Sequence, residues 1–187
     1  MLRKLEWDYM TAYSIPHLQK IVDFLKLEML SVRKMDHGGC IYALQNSRFC
    51  KLRHLSFGLS KNENIDGETG PTITDFITSL NPLLSLALTN YARHVNLTPI
   101  LLHRGPMLRS LSLHEVKGIV DPRLVLYSPQ LDDLRIRAPN VESLAIEINR
   151  TADESNEAAI YARIVVFPVS HKLPSTTIMG VRLPIQS

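Results

Sequence analysis

A six-residue pattern with apolar residues at its first, fourth and sixth positions recurs along this chain and restricts its fold more than any other feature. Its clearest copy is Leu108-Arg109-Ser110-Leu111-Ser112-Leu113. The apolar residues at the centres of the six copies are Leu5, Leu30, Leu55, Leu86, Leu111 and Leu144. Successive centres are 25, 25, 31, 25 and 33 residues apart, which is close to the period of a leucine-rich repeat.

Each copy alternates apolar and polar residues, as a short strand with one buried face does. A repeat of this length buries its apolar face only against its neighbours, so we expect the strands to stack in parallel. The predicted fold is an α/β leucine-rich-repeat solenoid of about six repeats, with strands on the concave side and helices on the convex side. The array would occupy residues 1–166, and residues 167–187, which lack the pattern, would form an irregular tail.

Between the strands, apolar residues at helical spacing predict connecting helices. The first helix covers residues 16–26, and polar residues 61–70 are predicted to be a loop inserted into the third repeat. The buried face of the first helix would consist of Leu18, Ile21, Val22 and Leu25. The other predicted helices are 41–49, Ile73 to Leu80, Thr98 (as N-cap) to Gly105, one opening at Ser128-Pro129, and 153–166.

Composition and charge restrict the partners and the compartment. The 187 residues are 45% hydrophobic and carry a net charge of only +3, with no run of basic residues like a nucleic-acid tail, so nucleic acid is not favoured as a partner. Cys40 and Cys50 are too few for a disulfide framework. The start of the chain lacks the apolar region of a signal peptide, and no apolar run reaches the length of a membrane span. We therefore expect a cytoplasmic or nuclear protein that has no membrane partner.

The polar positions of the six copies would form three columns on the solvent face of the sheet. The third positions are Lys4, Met29, His54, Ser85, Ser110 and Ser143. The fifth positions are Glu6, Ser31, Ser56, Ala87, Ser112 and Ala145. The seventh positions are Asp8, Arg33, Gly58, Thr89, His114 and Glu147.

Small residues dominate the middle of this surface and charged residues lie at its margins. Such a surface would accept a protein partner, and the marginal charges would set its orientation. The alternative, which the sequence leaves open, is that Ser and Ala only tolerate tight strand curvature. The candidate protein-binding residues are Met29, Arg33, His54, Ser56, Ser85, Thr89, Ser110, Ser112 and His114.

Residues able to carry catalysis or bind metal are present, but no motif gathers them. The seven histidines lie far apart, with no HExxH or CxxC spacing. His54, Ser110 and His114 share the predicted solvent face, but no acidic residue is placed to orient an imidazole base. Asp132-Asp133 would complement a helix dipole in a first turn, and His37-Gly38-Gly39 would be a simple turn. We predict no catalytic, cofactor or metal site, no enzyme activity and no small-molecule substrate.

Two segments, Gly105–Glu115 and Ala138–Ile148, resemble fungal leucine-rich-repeat proteins of the F-box-like kind, and the resemblance extends over roughly residues 1–164. It implies a recognition module, and some of these proteins deliver substrates to ubiquitin ligases through a separate N-terminal F-box. This chain departs from that plan because it begins inside a repeat. It departs again at the ninth repeat position, where Asn or Cys is usual and only Asn149 matches. The other residues at that position are Met10, Met35, Ser60, Tyr91 and Val116.

These observations predict a protein-interaction scaffold, and the resemblance extends this to the substrate-recognition part of an F-box-like ubiquitin-ligase adaptor. One alternative is a repeat-type regulator of a small GTPase, for which Arg33 and Arg109 are the plausible arginine donors. Another is a truncated gene product without an independent function.

Overall fold

The six copies of the pattern form the strands of one parallel sheet, as their spacing predicts. The computed structural model describes residues 2–35, 37–60, 69–92, 94–116 and 128–146. The strands are β1 (Lys4–Met10), β2 (Met29–Met35), β3 (His54–Leu59), β4 (Ser85–Thr89), β5 (Ser110–His114) and β6 (Ser143–Ile146). The helices are α1 (Ser14–Ile21), α2 (His37–Gln45), α3 (Thr69–Ser79), α4 (Leu97–Arg104) and α5 (Ser128–Arg137), with 3-10 turns at Phe24–Lys26 and Gly105–Met107.

The strands lie in the sheet in sequence order, and every neighbouring pair is parallel. Their register places the central leucine of each repeat beside that of the next, so that Leu5, Leu30, Leu55, Leu86, Leu111 and Leu144 form one row. The prediction of an α/β fold with six parallel strands in this order is therefore confirmed.

The core lies between the sheet and a single layer of helices. Apolar residues of all five helices and of the strands belong to one buried cluster, and helices that follow one another in the chain are in contact. Leu27, Leu52, Leu83 and Leu108, at the first position of four repeats, are completely buried. Since the helices cover one face of the sheet, the polar positions of the strands occupy the opposite face, which no described helix covers and which we call the open face.

A backbone hydrogen-bond motif repeats at the edge where the strands begin. The carbonyl oxygen of Arg3 accepts from the amides of Glu28 and Met29, at 2.8 and 3.1 Å. The same double acceptance recurs at the corresponding residue of the next four repeats, Glu28, Arg53, Leu84 and Arg109. This backbone hydrogen-bond pattern thus recurs with the same repeat as the leucines.

The first connection differs from the single helix predicted over residues 16–26. α1 ends at Ile21, Val22 is extended, and Asp23 opens a separate 3-10 turn by accepting a hydrogen bond from the Leu25 amide. This break rotates the buried face, so Ile21 and Leu25 are 78% and 46% exposed instead of buried. The residues of this connection that enter the core are Ile15, Leu18, Val22 and Phe24.

Other helix boundaries also correct the predictions. His37-Gly38-Gly39 is the first turn of α2 and not a separate turn, and α3 begins at Thr69, inside the predicted loop. The N-cap of α4 is Asn96, whose side chain accepts from the Thr98 amide at 3.1 Å, instead of Thr98.

α5 runs from Ser128 to Arg137, which confirms a helix there. Asp132 and Asp133 lie beyond its first turn, where Asp133 pairs with Arg137 four residues later. A pair at this spacing stabilises a helix through its side chains, so the predicted role in complementing the dipole is wrong. The predicted helix over 153–166, the tail 167–187 and the loop residues 61–68 lie outside the described residues.

Candidate functional site

The open face of the sheet carries three rows of side chains, one for each polar position of the repeat. In the first row, Lys4, Met29, His54, Ser85, Ser110 and Ser143 are register partners on successive strands. The second row contains Glu6, Ser31, Ser56, Ala87, Ser112 and Ala145. In the third row, Gly58, Thr89 and His114 are partners on β3 to β5.

The candidate binding residues named from the sequence therefore lie on one surface. Met29, His54, Ser85 and Ser110 are adjacent on four consecutive strands, and Ser56 and Ser112 lie in the next row. Arg33, Thr89 and His114 lie toward the ends of their strands. All of these side chains except the exposed Arg33 and His114 are half-buried. The register thus groups the residues, while their role in binding stays a prediction.

Charge on this face is concentrated on the strand at its N-terminal edge. Lys4, Glu6 and Asp8 of β1 are exposed, and Asp8 pairs with Arg33 of β2 through atoms 3.3 Å apart. The second row, from Ser31 to Ala145, contains only serine and alanine. A partner that packs on this row from β2 to β6 would desolvate no ionised side chain of the row. A partner that also reached β1 would contact its charged side chains.

Gly58 interrupts the third row, and its role was not apparent from the sequence. Between the pairs Val32–Phe57 and Met35–Leu59, β2 contains one residue more than β3, so the two strands form a bulge. A Cβ atom at residue 58 would lie 1.8 Å from the carbonyl oxygen of Arg33. Only glycine allows this close approach of the two backbones at the bulge.

The residues considered as a nucleophile and its base lie at separate places on the face. His54 and Ser110 are separated by the whole of β4, a distance of about 10 Å between their backbones. His114 lies four residues beyond Ser110, about 13 Å along the same strand. Nucleophilic activation would need a hydrogen bond between the hydroxyl and the imidazole, so the side chains would have to span these backbone separations. Among the described residues no three His, Cys, Asp or Glu side chains form a group able to hold a metal ion.

The two arginines considered for a GTPase regulator both pair with carboxylates of this chain. Arg33 pairs with Asp8, and the Arg109 Nη1 atom lies 3.0 Å from Glu142 Oε1. Both pairs are exposed; Arg33 lies within β2, and Arg109 immediately precedes β5. Neither of these two arginines is therefore unpaired in this geometry.

Asparagine side chains connect neighbouring repeats, and the sequence analysis missed the most extensive of these connections. The side chain of Asn90 donates to the Leu59 carbonyl at 2.8 Å and accepts from the Val116 amide at 3.1 Å, which joins the ends of β3, β4 and β5. Asn81 and Asn140 each donate to one carbonyl of the preceding repeat, at Cys50 and Pro106. The repeat predicts such a residue at its ninth position, which is Tyr91 in the copy that begins at Leu83, whereas Asn90 occupies the eighth position.

One polar group on the helix layer is buried without a full set of partners. Arg104, at the end of α4, donates from Nη2 to the Thr78 carbonyl of α3, and its Nε has no hydrogen-bond partner in the described part of the chain. Burial lowers the pKa of this guanidinium below its usual value. The side chain links α3 to α4 and lies away from the open face.

The described helices include none that combines the length and the apolar composition needed to cross a bilayer. Comparisons of the chain with protein-family models, with curated proteins and with solved structures return no match.

Proposed function

We propose that this chain is a protein-binding scaffold of the leucine-rich-repeat type and that the open face of its sheet receives a protein partner. The observation that carries the proposal is the strand register, which aligns the polar positions of six repeats into rows on the face that the described helices leave uncovered. The repeat period of 25 residues, found three times, and the helices on the other face support the leucine-rich-repeat assignment.

The dimensions of the face suit a protein better than a small molecule. Six strands spaced by about 4.8 Å, each about five residues long, give a surface of roughly 24 by 16 Å. Its projected area is then about 400 Å², and a standard protein interface buries about 800 Å² on each partner. A partner of ordinary size would cover the whole face and extend onto adjoining loops.

The centre of the face also differs from its margin in the charge of its side chains. At the centre, Ser85, Ala87, Ser110 and Ser112 are half-buried, so a partner side chain can pack on them without displacing tightly held ionic hydration. At the margin, the charges on β1 would meet complementary charges and orient the partner, an effect that acts mainly on the association rate. We expect binding to weaken little with salt if the centre dominates the contact.

The test compares the whole chain with a face variant, Ser85→Arg/Ser110→Arg, as baits in quantitative affinity capture. The matched control is Leu102→Arg/Ile136→Arg, which adds the same charge at exposed positions of the helix layer. Proteins recovered by the wild type and the control but lost by the face variant are then purified, and their dissociation constants are measured directly. We expect the face variant to bind at least about tenfold more weakly, because two buried arginines would lack partners. Equal affinities of the two variants would contradict the proposal.

The same experiment distinguishes the finer roles. A ubiquitin-ligase adaptor, which the resemblance implies, should recover a substrate protein through the open face. A GTPase regulator should recover a nucleotide-binding protein and lose its effect when Arg33 or Arg109 is replaced by alanine. A product without independent function should recover only chaperones. The paired state of both arginines is the reason that we carry the adaptor role forward ahead of the regulator.

A further inference from the structure

A groove on the helix layer, between the first two repeats, has features of a second binding surface. It is shallow and open to solvent, has a volume of about 470 Å³, and is formed by the end of α1, the following turn and the residues after α2. The groove lies on the layer opposite the open sheet face, so an occupant of one would not cover the other.

The walls and floor of this groove are fixed by contacts within the chain. Gln19 Nε2 of α1 donates to Ser47 Oγ at 2.8 Å, and Ser47 Oγ donates to the Ala43 carbonyl of α2 at 3.2 Å, which ties the two helices together. Phe24 is buried at the floor, and its ring stacks on that of Phe49 with centroids 5.2 Å apart. The groove therefore does not depend on an occupant for its shape.

Two apolar side chains line the groove and remain exposed to solvent. Ile21 and Leu25 are 78% and 46% exposed, because the break after α1 turns them away from the core. A single exposed aliphatic residue is ordinary on a protein surface. Here two of them line one concave site, where an apolar side chain of a partner could bury both.

The charges that line the groove are unbalanced. Asp23 is already engaged, since one carboxylate oxygen accepts from the Leu25 amide and the other lies 3.2 Å from Lys26 Nζ. Lys20 and Arg48 also line the groove, are exposed, and form no ion pair with any described residue. The groove thus presents two cations beside an apolar pair, with its own carboxylate neutralised.

From this arrangement we infer that the groove binds a short acidic peptide segment of a partner protein, in which an apolar residue is flanked by carboxylates. The apolar residue would pack on Ile21 and Leu25, and the carboxylates would pair with Lys20 and Arg48. Arg48 is suited to this because a guanidinium can bind a carboxylate with two parallel hydrogen bonds.

The test selects random twelve-residue peptides displayed on phage against the full chain and measures the affinity of synthetic copies by fluorescence anisotropy. We expect enriched peptides to combine Asp or Glu with Leu, Ile or Phe. Their affinity should fall at least about tenfold for Lys20→Glu/Arg48→Glu, and also for Ile21→Ser, which changes an exposed residue. Lys51→Glu reverses an exposed cation that does not line the groove and should leave the affinity unchanged.

The inference is overturned by a failure to enrich acidic peptides or by equal binding of the charge-reversal variant. It is also overturned by a concentration-dependent dimer that Ile21→Ser abolishes, which would make a second copy of the chain the occupant. Binding that survives Ser85→Arg/Ser110→Arg supports the groove as the site. Binding lost in that variant places the peptide on the sheet face and also overturns the inference. The two proposals can therefore fail separately.

Discussion

The first three strands and the last three follow the same repeat but are joined by different contacts. β1, β2 and β3 contain seven, seven and six residues, and Met10 and Met35 at the ends of β1 and β2 are buried. Four phenylalanine rings connect this region. Phe24 contacts Phe49, Phe49 contacts Phe76 and Phe76 contacts Phe57, with centroid distances of 5.2 to 5.9 Å. The N-terminal region thus continues its apolar packing beyond the strands.

In the later region the strands shorten to five, five and four residues, and aliphatic residues of α4 and α5 such as Ile100, Leu101 and Leu134 fill the core. There the strand ends are joined by Asn90, which bonds to both neighbouring repeats. Asn140 makes a further bond to the repeat before it. Asparagine hydrogen bonds thus join the later repeats, whereas the contacts between aromatic rings lie in the first region.

The comparison shows what the leucine pattern determines and what it leaves free. In both regions it fixes the strands, their register and the buried face, because each leucine lies beside the leucine at the same position of the neighbouring repeat. The ends of the strands lie outside the pattern, so neighbouring repeats can be joined there by apolar packing or by polar bonds. A hydrogen bond contributes about 0.5–1.5 kcal/mol, and a buried phenylalanine pair contributes about as much in addition to the burial of its rings. We therefore expect the ring contacts to contribute more to stability than the asparagine bonds.

The largest expected effect is that of Phe76→Ala, which would remove the ring that contacts both Phe49 and Phe57. We expect the free energy of unfolding to fall by about 3–5 kcal/mol, because a buried aromatic side chain is replaced by a cavity. Ile100→Ala, at a completely buried position of α4, serves as the control from the later region and should cost about 2–5 kcal/mol. Urea titrations followed by far-ultraviolet circular dichroism measure both. A loss below about 1 kcal/mol for Phe76→Ala would mean that the ring contacts do not join the first repeats.

The second prediction concerns the pattern that the two regions share. Leu111→Ala should lower the free energy of unfolding by about 2–5 kcal/mol, since Leu111 is 1% exposed and lies between Leu86 and Leu144. Its neighbour Ser112 points to the open face, so Ser112→Ala should change the stability by no more than about 0.5 kcal/mol. Similar losses in the two variants would show that the faces are assigned wrongly.

The strands, their order and their faces could be predicted from the residue types. The alternation of apolar and polar residues within a strand and the repeat of 25 residues both reflect which positions are buried. The break after Ile21 could not be predicted, because it depends on one hydrogen bond from the Leu25 amide to Asp23, whose carboxylate also suits a helix surface. The N-cap of α4 was misplaced by two residues for a similar reason. Asn96 and Thr98 are both good N-caps, and only the backbone shows which one is used.

The candidate site likewise contains some features that the sequence predicts and others that it does not. The rows of Met29, His54, Ser85 and Ser110 followed from the repeat, because a parallel register places equal positions side by side. The bulge at Gly58 depends on one extra residue in β2, and no period reveals a single insertion in a strand. Asn90 was missed because it lies one position earlier than the expected asparagine, and its backbone φ of 57° lies in the left-handed region that asparagine tolerates.

Replacing Asn90 tests whether polar bonds join the later repeats, and it has the third largest expected effect. Asn90→Ala should lower the free energy of unfolding by about 1–3 kcal/mol, because the Leu59 carbonyl and the Val116 amide lose their partner. Asn90→Gly keeps the backbone conformation while removing the same bonds, so the difference between the two variants isolates backbone strain. Asn140→Ala removes one exposed bond to Pro106 and should cost less than about 1 kcal/mol. Equal stabilities of wild type and Asn90→Gly would show that the bonds contribute nothing.

The smallest expected effect distinguishes the edge of the first region from its interior. Trp7, the only tryptophan, is half-buried on β1, whose one neighbour in the described sheet is β2. A repeat with a neighbour on one side opens at a lower free energy than repeats with two. We therefore expect the midpoint from Trp7 fluorescence to lie about 0.3 M urea below that from circular dichroism, a difference of about 0.5 kcal/mol at ordinary slopes. Phe76→Ala should widen this gap, because it weakens the contacts among the first three repeats, whereas Asn90→Ala should not. Coincident midpoints in the wild type would mean that the edge strand unfolds with the rest of the sheet.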